Sequence, residues 1–334
     1  MKRKKSKTER FKLFWASKPM GDGLGNALGY TTHEQNLRQY VSRIATLTPE
    51  ARASLAIISP EQYVNPPEGY INFLFTMFEG TTLPDLYIEN MSNADYLVSP
   101  STWVKERFNQ YFPPEKTIIC PHGVDPVYRY FKRTFPRRGE PFVFLWVGAP
   151  NPRKGYEPVG MIWQKMGFVD NPRFQLYVKT TRLGRLERKS NVIYDSRKLT
   201  IHQLVNIYRR AHCFLAPHQG EGFHLCLAEA MRTGLPSIAT HYSGVTDFFD
   251  KDVGYEIDYD MDEGTVTFPA TGMKVTTEVA RPNVETLLRH MVYVYENYEE
   301  AVKLGKKAHY KIAQNFTWPI SAKKLIDGMR SKIE

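Results

Sequence analysis

Short apolar runs recur along this chain. Each is followed by a polar turn carrying glycine or proline, and then by a stretch with apolar residues three and four positions apart. Such runs predict buried strands, and the spacing after them predicts amphipathic helices. Strands are expected at 11–17, 54–59, 71–78, 96–99 and 117–121, with helices through Leu37, Tyr40, Val41 and Ile44 and over 86–94 and 103–111. A second series follows, with strands at 142–147, 174–178, 213–216 and 237–240 and helices to about Gly167, from Thr200 to Ala211, and over 223–232. Thr200 with Gln203 three residues on is a capping-box signal for the helix they open. Tyr242-Ser243-Gly244 reads as the start of another helix, and three more are expected at 284–297, 299–314 and 319–332. Strand, loop and helix in alternation predict an α/β protein whose parallel sheets bind ligands beyond their strand ends.

At 334 residues the chain has room for two such domains. Apolar content of 42% and charged content of 24% are those of a globular protein with a buried core. Cys120, Cys213 and Cys226 have neither metal-ligand nor redox spacing, which predicts buried thiols in a reducing compartment. No apolar run reaches a membrane span's length, so a soluble cytoplasmic protein is expected.

The densest chemistry lies between Phe214 and Phe248. A strand ends at Pro217, a turn carries Glu221 and Gly222, and a helix follows with Glu229 on its flank. At that helix start the amides of Phe223, His224 and Leu225 are expected to be unpaired and to suit a phosphate. Glu229 could accept hydrogen bonds from a ribose. Upstream, the strand at 142–147 runs into Gly148-Ala149-Pro150-Asn151-Pro152-Arg153-Lys154-Gly155.

These residues resemble the donor motif of retaining glycosyltransferases of the family-4 type, in which a proline and small residues precede E-G-F-G, then E-A-M, then G-x-P-x-I-A-T. The resemblance implies the GT-B architecture, two Rossmann-like domains facing across a cleft with the C-terminal helix crossing back to the first. It implies that Glu221 contacts the donor sugar, Glu229 the ribose, and Lys154 the diphosphate. Ala149 stands where the family has arginine, so Arg153 or Lys179 is expected to supply the second cation. His224 replaces a glycine, which alters the contacts to the transferred sugar. Asp95, Pro100-Ser101 and Pro121-His122-Gly123-Val124-Asp125 match the family's first-domain pattern. The implied organisation is a basic tail at 1–10, an acceptor-side domain at 11–135, a nucleotide-sugar domain at 136–316 and a crossing helix at 317–334. The implied donor is a nucleotide sugar, UDP-glucose being the family's commonest, with no metal or other cofactor required.

Three further features complete the reading. Gly23 lies in a glycine-rich turn after the first strand, where backbone could approach a phosphate. Glu79 ends a first-domain strand and could take the acceptor's proton, bind a sugar hydroxyl or cap a helix. Asp258, Asp260 and Asp262 lack the glycine and glutamate of a calcium loop and are expected to form an acidic surface loop.

Net charge is +10, and residues 1–12 alone hold seven basic residues against one glutamate. Basic and aromatic residues mix between Tyr128 and Arg138, and more arginines gather at Arg182, Arg185 and Arg188. A polyanionic partner fits this balance. The expectation is an acceptor in DNA, a hydroxylated or otherwise modified base, with the 129–138 cluster bordering the cleft. The alternatives are a cell-envelope lipid or polysaccharide precursor, with the tail on an anionic membrane surface, and a non-catalytic nucleic-acid-binding relative.

Overall fold

The computed structural model describes residues 10–17, 28–181, 184–268 and 273–334. The first sheet contains β1 (Lys12–Trp15), β2 (Thr46–Leu47), β3 (Ala53–Ile57), β4 (Ile71–Phe75), β5 (Tyr96–Ser99) and β6 (Thr117–Ile119). All pair in parallel in the order β2-β1-β3-β4-β5-β6. Every residue of β3 is buried, as expected for a strand covered on both faces. Alternate side chains serve opposite layers. Leu55, Ile57, Phe73 and Phe75 pack with α1 (Leu28–Ile44), while Ala56 and Leu74 pack with α2 (Asp85–Ser92) and α3 (Thr102–Phe108).

The layer over α1 is completed by the end of the chain. Helix α9 (Trp318–Ile333) lays Trp318, Ala322, Leu325 and Met329 against the first sheet. Burying a large apolar side chain stabilises by roughly 1.5–3 kcal/mol, so the first domain depends on the last helix. The loop after β6 passes so close that a Cβ on Gly123 would lie 2.3 Å from the Trp318 nitrogen.

The second sheet has the order β13-β12-β11-β7-β8-β10-β9. Its strands are β7 (Phe142–Val147), β8 (Phe174–Lys179), β9 (Leu186–Lys189), β10 (Val192–Asp195), β11 (Cys213–Ala216), β12 (Ser237–Thr240) and β13 (Tyr255–Ile257). The helices α4 (Tyr156–Lys165) and α7 (Val284–Glu296) cover one face, α5 (Ile201–Arg210) and α6 (Leu225–Arg232) the other, and α8 (Tyr298–Asn315) gives Tyr298 and Ala301 to the first and Ala308 and Ile312 to the second. Thr200 and Gln203 form the expected capping box. Only β9 pairs antiparallel, and its four residues are exposed. It carries Arg188 and Lys189, so part of the arginine cluster serves as the charged edge that discourages further strand pairing. Among the described residues no helix is long and apolar enough to cross a membrane.

The expected acidic loop at Asp258–Asp262 is instead the start of a long hairpin. Strands β14 (Tyr259–Phe268) and β15 (Met273–Pro282) pair antiparallel from Tyr259↔Pro282 to Phe268↔Met273. Asp260 and Asp262 lie on β14, and Asp262 pairs with Arg281. The ribbon straps the two domains together. Val266 and Val279 enter the first-domain core beside Phe78 and Leu83, and the Thr81 amide donates to Thr277 Oγ1 at 2.8 Å. At its base, the Ala280 amide donates to the Gln219 carbonyl of the second domain. A two-stranded ribbon has no continuous buried face of its own, which is why its hydrophobic period is weak in the sequence.

Candidate active site

Three loops at carboxyl ends of strands converge, after β4, β7 and β11. Beyond β7, the Asn151 side chain accepts from the Arg153 amide and opens a single 3-10 turn, Pro152–Lys154. Gly155 ends the turn in the left-handed region at φ 72°, and a Cβ there would lie 1.7 Å from the Pro217 carbonyl oxygen. Only glycine permits that approach. It seats Lys154 against the loop that follows β11.

In that loop the Glu221 amide donates to Ser243 Oγ at 2.8 Å, and its carbonyl accepts from the Gly244 amide at 2.9 Å. Gly222 faces Met77 of the first domain, and Phe223 stacks on His122 with centroids 5.1 Å apart. The loop is thereby fixed from both sides of the cleft.

The outcome is a chain of four charges across the interdomain boundary. Lys154 Nζ lies 2.6 Å from Glu221 Oε1, Arg153 Nη1 lies 3.2 Å from the same oxygen, and Arg153 Nη2 lies 3.2 Å from Glu79 Oε1. The contacts to Glu221 Oε1 are ion pairs by distance and not directed hydrogen bonds. Arg153 also donates to the Gly220 carbonyl. Burial alone would raise the Glu221 carboxyl, but Lys154 and Arg153 more than offset it and hold it well below the usual carboxylate range. Burial works against the Arg153 charge too, yet Glu79 and Glu221 together raise its pKa.

Glu229 sits in a different setting. It is 8% exposed, and its Oε2 accepts from the Tyr208 hydroxyl at 2.9 Å. Burial pushes its carboxyl up to about 7 against the opposing pull of the Tyr208 and Tyr128 hydroxyls. The ionised carboxylate is a stronger acceptor for a ligand hydroxyl than the acid. If Glu229 meets the ribose, as expected from the sequence, UDP-glucose affinity, measured by titration calorimetry, should rise as pH increases through about 7 and then level off, and Glu229→Gln should remove the step. The stability effect has the opposite sense. Between the ordinary carboxylate range and about 7 the folded state keeps a proton the unfolded chain has released, so this group's contribution to stability falls as pH rises through that window.

The remaining expected residues divide clearly. Arg153 joins the cluster as the second cation. Lys179 does not: its ammonium donates to the carbonyls of Thr180, Asp195 and Arg197, at 2.7, 3.1 and 2.9 Å, holding the β8 and β10 ends together. Helix α6 starts at Leu225, two residues later than expected. His224 is its N-cap, left-handed at φ 72°, with Nδ1 accepting from the Leu227 amide. That bond leaves its proton on Nε2, and the helix start offers the Leu225 and Cys226 amides. Gly23 lies outside the described residues. Arg133, expected to border the cleft, is buried and donates to the carbonyls of Tyr208, Arg209, Ala211 and Thr233. It holds the carboxyl end of α5 in place of meeting a ligand.

Sequence reasoning missed two residues of the site. Ser243 was hidden inside an expected helix start, which is a 3-10 turn (Ser243–Asp247). His218, buried beside His224 with ring centroids 5.0 Å apart, carries two ring nitrogens without a hydrogen-bond partner. Burial pulls it well below the usual histidine range, so it is neutral here.

Two parallel-sheet domains joined across a cleft, with the last helix returned to the first, form the GT-B fold of glycosyltransferases. The structure superimposes on HepE of Anabaena, solved with UDP-glucose, at a TM-score of 0.63 and 14% identity, covering 97% of this chain and 100% of that one. WaaG, a glycosyltransferase involved in lipopolysaccharide biosynthesis, gives 0.62 at 14% identity, covering 95% and 99%. Sucrose-phosphate synthase from Thermosynechococcus elongatus gives 0.60 at 15% identity, covering 91% and 79%. No curated protein matches in sequence. Residues 189–325 match the family described as "Family 4 Glycosyltransferase in conflict systems". That stretch is similar to the family, and the fold of the chain is GT-B.

Proposed function

We propose that this protein transfers a sugar from a nucleoside-diphosphate sugar to an acceptor hydroxyl, with the anomeric configuration retained. The observation that carries the reading is the charge chain Glu79–Arg153–Glu221–Lys154 at converging strand ends. Two cations there are balanced by two carboxylates, and a diphosphate brings the same charge to Lys154 and Arg153. As the bond from C1 to the phosphate oxygen breaks, the electron pair stays on that oxygen. Lys154, Arg153 and the amides at the start of α6 stabilise the growing charge. Glu221, held ionised, is an acceptor for sugar hydroxyls. The acceptor oxygen bonds to C1 from the departing side, and its proton passes to Glu79, which the diphosphate has released from Arg153.

UDP-glucose is the first donor to test, because HepE is solved with it. On the acceptor side, net charge of +10 supports a hydroxylated base in DNA. A base in a duplex would have to leave the stack to reach the cleft, at a cost of a few kcal/mol. The test incubates protein and donor with hydroxymethylated DNA, unmodified DNA and an envelope glycolipid, and weighs the products. Mass gain on hydroxymethylated DNA alone is the expected result. Gain on the glycolipid alone removes the DNA acceptor, and no nucleoside diphosphate released with any acceptor across a donor panel overturns the activity.

A further inference from the structure

A groove of about 450 Å³ lies outside the donor cleft, between the segment after β6 and the exposed flank of α5. Val127, Arg129 and Phe131 form one wall, and His202, Asn206 and Arg209 the other. The half-buried ring of Phe131 is part of its lining. The guanidinium carbons of Arg129, Arg133 and Arg209 each lie 5.9 Å from the ring centroid. Buried Arg133 is fixed by backbone carbonyls, and the Phe131 amide donates to the Thr233 carbonyl at 3.1 Å, so ring and central charge are held rigidly. Arg129 and Arg209 are exposed, and among the described residues neither has a carboxylate within ion-pair distance.

Three guanidinium groups around one ring repel one another, and only that of Arg133 is offset, by the carbonyls it donates to. A ligand matched to the groove would bring negative charge to Arg129 and Arg209, a flat face for the Phe131 ring, and polar edges for Asn206 and His202. A nucleic-acid strand, with successive phosphates flanking a planar base, has these properties, which a lone nucleotide lacks. We propose that this groove binds a single strand of nucleic acid, its phosphates on Arg129 and Arg209 and a base against Phe131. The proposal names a partner on the acceptor side of the function above, but binding in this groove does not require sugar transfer.

The test uses the full chain and a fluorescent single-stranded oligonucleotide of about twelve nucleotides, within the usual site size, titrated over a range of salt. Removing two phosphate contacts should flatten the slope of log affinity against log salt by about 1.4, so Arg129→Ala with Arg209→Ala should weaken binding and show that change. Phe131→Leu should weaken binding by about fivefold or more with the slope unchanged. UDP titrated into the same proteins reads the donor cleft separately and should bind all of them equally. Unchanged oligonucleotide affinity in the arginine variant overturns the proposal, as does a wild type that binds AMP or inorganic phosphate but no oligonucleotide. Failure of UDP to bind the wild type would count against the donor cleft alone.

Discussion

Lys154→Ala should lower kcat by about 10²–10³, the usual loss when one group that stabilises a developing oxyanion is removed. The side chain is 25% exposed, and its removal leaves Glu221 still paired with Arg153, so the fold should survive. The loss should fall mainly on kcat, because charge on the leaving phosphate grows toward the transition state. Steady-state kinetics with saturating donor, beside a urea unfolding curve, separates the two effects. A variant with near wild-type kcat would remove Lys154 from the chemistry.

Arg153→Ala should be damaging in a different way. Arg153 is 9% exposed and joins Glu79 of the first domain to Glu221 of the second. Removing one partner of a buried ionic network leaves uncompensated charge and typically costs about 3–5 kcal/mol. Lys154 still faces Glu221, but among the described residues Glu79 has no other ion-pair partner, so the domain boundary should open first. The expected result is an earlier urea midpoint together with lost transfer. Adding Glu79→Gln to Arg153→Ala should recover part of the stability and none of the activity. If the double variant is no more stable than the single, the cross-cleft pair is not what holds the boundary.

The sequence makes the two layers of strands legible because those strands are buried on both faces and bounded by turn residues. Glu221, Glu229 and Lys154 are legible because each sits in a local pattern that fixes its place between a strand and a helix. What joins them is not local. Arg153 reaches Glu79 only because β4 and β7 end toward one cleft, and no spacing along the chain encodes that distance. The conformation of His224 is hidden for a related reason. Its departure from glycine is visible, but its left-handed backbone and its capping of Leu227 appear only in three dimensions. Arg133 and Lys179 show how charge misleads, since a basic residue in sequence looks the same whether it meets a ligand or is tied to backbone carbonyls. The hairpin was lost because its stability comes from docking Val266 and Val279 into another domain.

Calorimetric titration of UDP and UDP-glucose into the wild type and Glu229→Gln tests the central claim most directly. The account predicts a single donor site in the wild type, with UDP-glucose affinity that rises as pH passes through about 7, and weaker UDP-glucose binding without that step in the variant. No binding of any nucleoside diphosphate by the wild type, or equal binding by both proteins at every pH, would contradict it.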